Sequence, residues 1–235
     1  MGKESKPHPA LAISPGIAYL WRMDLREALP ILFCSTPKAK VMAYLLTLIL
    51  ITLFAGGLHG FAFLLIPLGL DVYGAFLVKD NHKAFQEDVL ENLEKECLRA
   101  CGIDKSQPNY PFYEIGGAIP HWMLKEHKDE VRYTMMAPKD DFVVIAGRKG
   151  SIFPLKSYFP VAYQTEDTGT RDVYYSDISA VELSGKTLIM TTAAGDTVSY
   201  AGQGDKAAQA VEHIRKRLRE FKSRRPATSA QQEQS

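Results

Sequence analysis

The chain has 235 residues, 46% of them hydrophobic, and balances 28 Lys plus Arg against 27 Asp plus Glu. That length accommodates one or two domains, and a formal net charge of +1 argues against a protein that binds nucleic acid over its whole surface. Three cysteines, Cys34, Cys97 and Cys101, are too few for a disulfide framework and accord with a reducing compartment.

Residues 1–15 are rich in Pro, Lys and Ser and have the composition of a disordered segment. Residues 1–37 lack the apolar core and cleavage site of a secretory signal. Within 16–37, Ile17, Leu20, Trp21, Leu25, Ala28 and Leu32 recur near helical spacing, interleaved with Arg22, Asp24, Arg26 and Glu27. The pattern predicts an amphipathic juxtamembrane helix broken or kinked at Pro30, with packing on the protein's own remainder as the alternative.

Residues 38–79 dominate the sequence. Between Lys40 and Lys79, Asp71 is the one formal charge among mostly Leu, Ile, Phe, Val, Ala and Gly. A helix crossing the hydrocarbon takes about 20 apolar residues. The stretch therefore predicts a transmembrane hairpin of two short spans, Val41–Ala55 and Phe61–Val78, turning at Gly56-Gly57-Leu58-His59-Gly60. Lys38, Lys40, Lys79 and Lys83 flank it, so the positive-inside rule places both termini in the cytoplasm of a multi-pass inner-membrane protein. A helical hairpin buried in a soluble domain, or one longer span from Val41 to about Leu64, are the alternatives. Asp71 and His59 are the intramembrane polar candidates. Asp71 either reaches the interface beyond Pro67 and Gly69 or pairs with a neighbouring subunit or with His59.

Residues 80–128 read as a helix and a connector. Asp80-Asn81 has the form of a cap, and Phe85, Val89, Leu93, Cys97 and Cys101 make an apolar stripe that Gly102 terminates. Pro108, Pro111, Gly116, Gly117 and Pro120 then mark a connector whose aromatics, Tyr110, Phe112, Tyr113 and Trp122, pin it to a surface.

From residue 129 to 222 the period changes. Val131–Met136, Phe142–Ala146, Ser151–Gln164, Arg171–Tyr175, Ile178–Leu183, Thr187–Thr192 and Thr197–Ala201 are strand-like, with turns at Pro138–Asp141, Gly147–Gly150, Ser184-Gly185 and Ala194–Asp196. A helix capped at Gly204 or Asp205 follows, with Ala208, Val211, Ile214, Leu218 and Phe221 on one side. Residues 223–235 form a polar, disordered tail. The expected fold is thus an α+β membrane protein: a transmembrane hairpin, a linker helix, and a small antiparallel barrel or sheet capped by one helix.

Tyr175-Ser176-Asp177-Ile178-Ser179-Ala180-Val181, the strand Leu188–Thr192, Gly195-Asp196 and the helix ending Ile214-Arg215-Lys216-Arg217-Leu218 resemble the C-terminal half of bacterial pleckstrin-homology-like (PH-like) domains. The resemblance covers Val131 to Phe221 and implies a bent barrel plugged by its last helix, with a binding function. Lipid-binding PH domains carry clustered basic residues on the first hairpin. Here Arg132 and Lys139 stand beside Asp140 and Asp141, a departure from that pattern.

Cys97-x-x-x-Cys101 places two sulfurs on one helix side, but paired zinc motifs usually have two-residue spacing, so the thiols read as small buried hydrophobes. There is no nucleophile elbow and no phosphate loop. No catalytic residue, cofactor or metal is expected, and the chain does not read as an enzyme. Arg215, Lys216, Arg217, Arg219, Lys222, Arg224 and Arg225 crowd the end of the last helix. With Arg148, Lys149 and Lys156, the first five of these are the candidates for contact with anionic lipid or with a partner. The favoured function is a membrane-anchored assembly component whose cytoplasmic PH-like domain binds a protein, in a secretion, conjugation or envelope complex. Its expected partners are membrane lipid and other complex subunits or further copies of itself, and not nucleic acid. An anionic-lipid- or phosphate-binding module, or a small transporter subunit using Asp71, are the alternatives.

Overall fold

The structure, a computed structural model, describes residues 25–35, 37–54, 63–152, 165–202 and 205–224. Among these, helices α1 (Leu25–Ser35), α2 (Pro37–Phe54) and α3 (Leu65–Cys101) come first. Strands β1 (Tyr110–Gly116), β2 (Glu130–Pro138), β3 (Phe142–Ser151), β4 (Thr165–Tyr174), β5 (Ile178–Ser184), β6 (Thr187–Thr192) and β7 (Thr197–Ala201) follow, and α4 (Lys206–Arg224) closes the chain. The described residues within 1–85 and 119–127 make one unit, and those within 86–118, 128–152 and 165–224 make the second.

In the first unit, α1 continues through Pro30. A Cβ on Gly74 of α3 would overlap the Pro30 carbonyl, so the two backbones meet there without a side chain between them. Ile31, Cys34, Ala75 and Val78 are buried on these helices, and Leu124 is buried in a short 3-10 turn, Trp122–Leu124. The expected cap at Asp80-Asn81 is absent because α3 runs straight through it. Asn81 Nδ2 donates back to the Leu77 carbonyl at 2.9 Å, a bond made inside a continuing helix.

The transmembrane expectation is overturned. No helix among the described residues is long and apolar enough to cross a membrane. The apolar run of α2, Val41–Phe54, spans about 21 Å at 1.5 Å per residue, and that of α3, Leu65–Val78, is no longer before Lys79, whereas the hydrocarbon core is about 30 Å thick. The membrane fold class and the multi-pass inner-membrane location built on it fall together. The proposed turn at Gly56–Gly60, with His59, lies outside the described residues.

The second unit is built on two antiparallel sheets, β1-β2-β3-β4 and β5-β6-β7. One bridge, Phe112 to Gly202, joins the outer strands β1 and β7. Met136, Val143 and Ile145 of the larger sheet meet Ile178, Val181, Leu188 and Met190 of the smaller in one core. Helix α4 completes that core with Ala207, Ala210, Val211, Ile214 and Leu218. Each large aliphatic side chain buried this way contributes about 1.5–3 kcal/mol. The opposite face of the larger sheet is also covered. Val89 and Leu93 of α3 stand over Gly150, and Cys97 Sγ reaches the Ala146 carbonyl at 3.6 Å. Burial on both faces explains the unbroken apolar run Val143–Ala146, which alternation alone does not produce.

Two local readings change. The supposed connector contains β1, where Pro111 is tolerated because the strand is a sheet edge. Gly147–Gly150 is part of β3, with a bulge between Gly147 and Arg148, and makes no hairpin turn.

Two glycines of α3 give opposite predictions. Gly69 has open space where a methyl group would stand, so Gly69→Ala is expected to stabilise the protein by about 0.5–1 kcal/mol through helix propensity. Gly74→Ala is expected to destabilise it by about 1–3 kcal/mol because the methyl enters the Pro30 carbonyl. Urea denaturation of both variants checks the signs.

Candidate functional site

A cleft in the second unit runs along α4. The helix turns its apolar stripe into the core, which leaves Gln209, Glu212, His213, Lys216, Arg217 and Glu220 to form one wall; Tyr110, the first residue of β1, forms the other. The volume is about 480 Å³, within the range of ligand or peptide-side-chain pockets. Tyr110 and His213 meet across it, with Tyr110 Oη 2.8 Å from His213 Nδ1 and the rings edge-on at 5.9 Å.

Burial raises the Tyr110 phenol above its usual value, with Glu212 adding to the effect. Burial also lowers the His213 imidazole, helped by the Arg217 and Lys216 charges. The phenol and the imidazole thus share one hydrogen bond, whose direction follows the His213 tautomer. The cleft offers both signs of charge, an amide and an imidazole. That mixture suits a polar peptide segment better than a single anion.

Most of the basic candidates are engaged within the second unit. Arg148 ion-pairs with Asp167 and lies 3.9 Å from Glu96, while Lys149 pairs with Glu130 at 3.1 Å. Arg215 Nε donates to the Val181 carbonyl at 2.7 Å, which closes the open edge of β5. Arg217 pairs with Asp140 at 3.2 Å and Glu220 at 3.5 Å. Arg219 Nε approaches the Arg215 carbonyl at 3.4 Å. Lys216 lines the cleft, Lys222 is exposed at the end of α4, and Lys156 lies outside the described residues. The structure brings Arg215, Lys216, Arg217, Arg219 and Lys222 onto one helix and sets Arg148 and Lys149 on β3.

Asp71 belongs to the first unit, where it is buried between Lys40 and His121. Lys40 Nζ lies 2.8 Å from Oδ1, and His121 Nε2 lies 3.0 Å from Oδ2. The Lys40 contact is a charge–charge approach and not a directed hydrogen bond, since Oδ1 has no hydrogen-bond partner. His121 Nδ1 accepts from the Met123 amide at 3.2 Å, which leaves the ring proton on Nε2 to be donated to Asp71. The carboxylate thus holds α2, α3 and the turn after residue 120 together. Its partners are Lys40 and His121; the pairing expected with His59 lies outside the described residues.

The thiols are inert. Burial pushes Cys34 and Cys97 up to about 12 and raises Cys101 as well. Among the described residues no group of three or more His, Cys, Asp or Glu side chains is arranged to hold a metal ion.

No family model, curated protein or solved structure matches the chain.

Sequence reasoning missed Tyr110, His213, Lys40 and His121. The aromatics Tyr110, Phe112 and Tyr113 were a strand signal for the first, masked by Pro108 and Pro111. The other three stand out only when their partners are known.

Two outcomes follow from these geometries. Asp71→Asn removes the charge opposite Lys40 and is expected to cost about 1–3 kcal/mol, a range set by partial burial. A double-mutant cycle with Lys40→Met should show the two losses to be non-additive. His213 and His127 both have folded pKa values below the usual 6.5, His127 through burial and then the His82 and Lys79 charges. Their contribution to stability is complete above the unfolded value and is lost as pH falls through the folded one. The melting temperature is therefore expected to drop between about pH 7.5 and pH 5, and less so in His213→Gln.

Proposed function

We propose that the protein is a non-catalytic assembly component that self-associates through its first unit and displays a PH-like protein-binding module in its second. The observation that carries this reading is the surface of α2. Val41, Met42, Leu45, Leu46, Leu48, Ile49, Leu53 and Phe54 are each 52–75% exposed. All but Phe54 fall within an arc of about 160° at 100° per residue, and Thr47 on the other side is buried. At about 100 Å² each they present on the order of 800 Å², the share one partner contributes to a standard interface. An apolar patch of that size is unusual on a monomer. A second copy of the chain, packing the same stripe in two-fold fashion, covers it without a further partner.

The second unit supports the other half of the proposal. Four strands, then three, then a closing helix follow the order expected of a PH-like domain. Arg148, Lys149, Arg215 and Arg217 are held by acceptors of the same unit, which favours a protein over a lipid headgroup as its ligand. The cleft between Tyr110 and α4 is the place for a polar segment of that partner.

Light scattering of the full chain is expected to give a discrete oligomer, and Leu45→Glu combined with Ile49→Glu is expected to reduce it to the mass of one chain without loss of helical signal. A wild-type chain that is monomeric at micromolar concentration overturns the reading.

A further inference from the structure

We infer that the barrel mouth of the second unit is a second, separate site, for a small organic anion with a flat apolar body, and that Tyr200 keeps it divided in two. The site goes beyond the assembly reading and shares no residue with the α4 cleft.

Beyond the Phe112–Gly202 bridge, β1 and β7 make no further pairing and the space between the sheets opens. Two chambers occupy it, of about 270 and 200 Å³. Thr134 and Tyr200 line both, so the Tyr200 ring is the partition. Neither chamber alone reaches the roughly 300 Å³ of a typical ligand site, whereas the two joined do. The partition is held by one polar contact, from Arg171 Nη2 to Tyr200 Oη at 2.6 Å, and by a tilted ring contact with Phe112 at 6.0 Å.

The chambers differ in chemistry. The larger is lined by Thr134, Thr168, Thr170 and Arg171 and contains no carboxylate. Thr168 Oγ1 stands directly over Gly147, where a side chain would displace it. Among the described residues Arg171 lies within ion-pair distance of no carboxylate; the phenol of Tyr200 is its partner. A guanidinium beside threonine hydroxyls and held by a phenol binds a phosphate or carboxylate more strongly than it binds that phenol, because the anion adds an opposite charge and can accept from both arms of the guanidinium fork. The smaller chamber sets Glu114 against its cross-strand neighbour Arg132, so its charges offset, and the Phe112 ring lines it. The anionic group therefore belongs with Arg171, which has no carboxylate beside it, and the flat body takes the place of the Tyr200 ring against Phe112. Entry exchanges the Arg171–Tyr200 bond for an Arg171–anion bond and swings the ring aside, so the closed form lowers the apparent affinity.

Calorimetric titration of the full chain with phenyl phosphate, with inorganic phosphate in parallel, tests this. Phenyl phosphate is expected to bind at least tenfold more tightly than inorganic phosphate. Tyr200→Phe, which releases Arg171, is expected to tighten phenyl phosphate by about three- to tenfold, and Arg171→Gln to weaken it at least tenfold. Arg171 is exposed on β4, so its variant is expected to retain the wild-type melting temperature and serves if Tyr200→Phe fails to fold. Equal binding of the two phosphates overturns the two-chamber site, unchanged or weaker binding in a folded Tyr200→Phe overturns the gate, and indifference to Arg171→Gln overturns the whole proposal. Oligomeric state is read separately, so failure here leaves the assembly reading standing.

Discussion

The second unit depends on a four-stranded sheet that is buried on both faces. One face meets the smaller sheet and α4, and the other lies under the residues of α3 that follow Phe85. Double burial demands apolar side chains at consecutive positions of β2 and β3, and Met135-Met136-Ala137 and Val143–Ala146 supply them. It also demands a strand surface low enough for a helix to approach, which Gly150 provides beneath Val89 and Leu93. With the sheet fixed in this way, β1 and β7 touch at the Phe112–Gly202 bridge, and the two chambers that Tyr200 lines lie beside it.

The first unit is organised differently. Its helices carry far more apolar surface than they bury, and α2 leaves most of its large side chains exposed. What specifies the arrangement is polar. Asp71 draws Lys40 from α2 and His121 from the chain beyond β1 into one buried cluster, and charges placed this way fix geometry more than they add net stability. Gly74 against Pro30 is the steric counterpart, a place where the two backbones meet without side chains. Among the described residues, this ionic cluster and this backbone contact stand beside a small apolar core of Ile31, Cys34, Ala75, Val78 and Leu124, while α2 keeps a broad apolar stripe exposed.

Local pattern carried much of the second unit. β6 and β7 have the bounds that alternation and the Gly185 and Gly195 turns indicate, and both glycines adopt the positive φ that such turns require. The stripe of Val211, Ile214 and Leu218 marks the buried side of α4 correctly, but Ala208 is exposed while Ala207 and Ala210 are buried. The stripe Phe85–Val89–Leu93–Cys97–Cys101 is buried throughout. β1 was hidden by Pro108 ahead of it and Pro111 within it, the latter a penalty in a central strand and none at an edge. Apolar composition misled most at residues 38–79: it measures how greasy a stretch is but not how far an unbroken helix extends, and among the described residues no helix is long and apolar enough to cross a membrane.

By itself the sequence determined the periods: where side chains alternate, where they repeat every turn, and where Gly and Pro stop them. Those are short-range properties, set by backbone sterics and by the need of each element to bury one side. Tertiary structure alone decided the partners. Asp71 and His121 are 50 residues apart in the chain, Tyr110 and His213 are 103 apart, and Arg171 and Tyr200 are 29 apart. No local rule links such pairs, because a buried charge or hydroxyl accepts any complementary group that folding delivers to it.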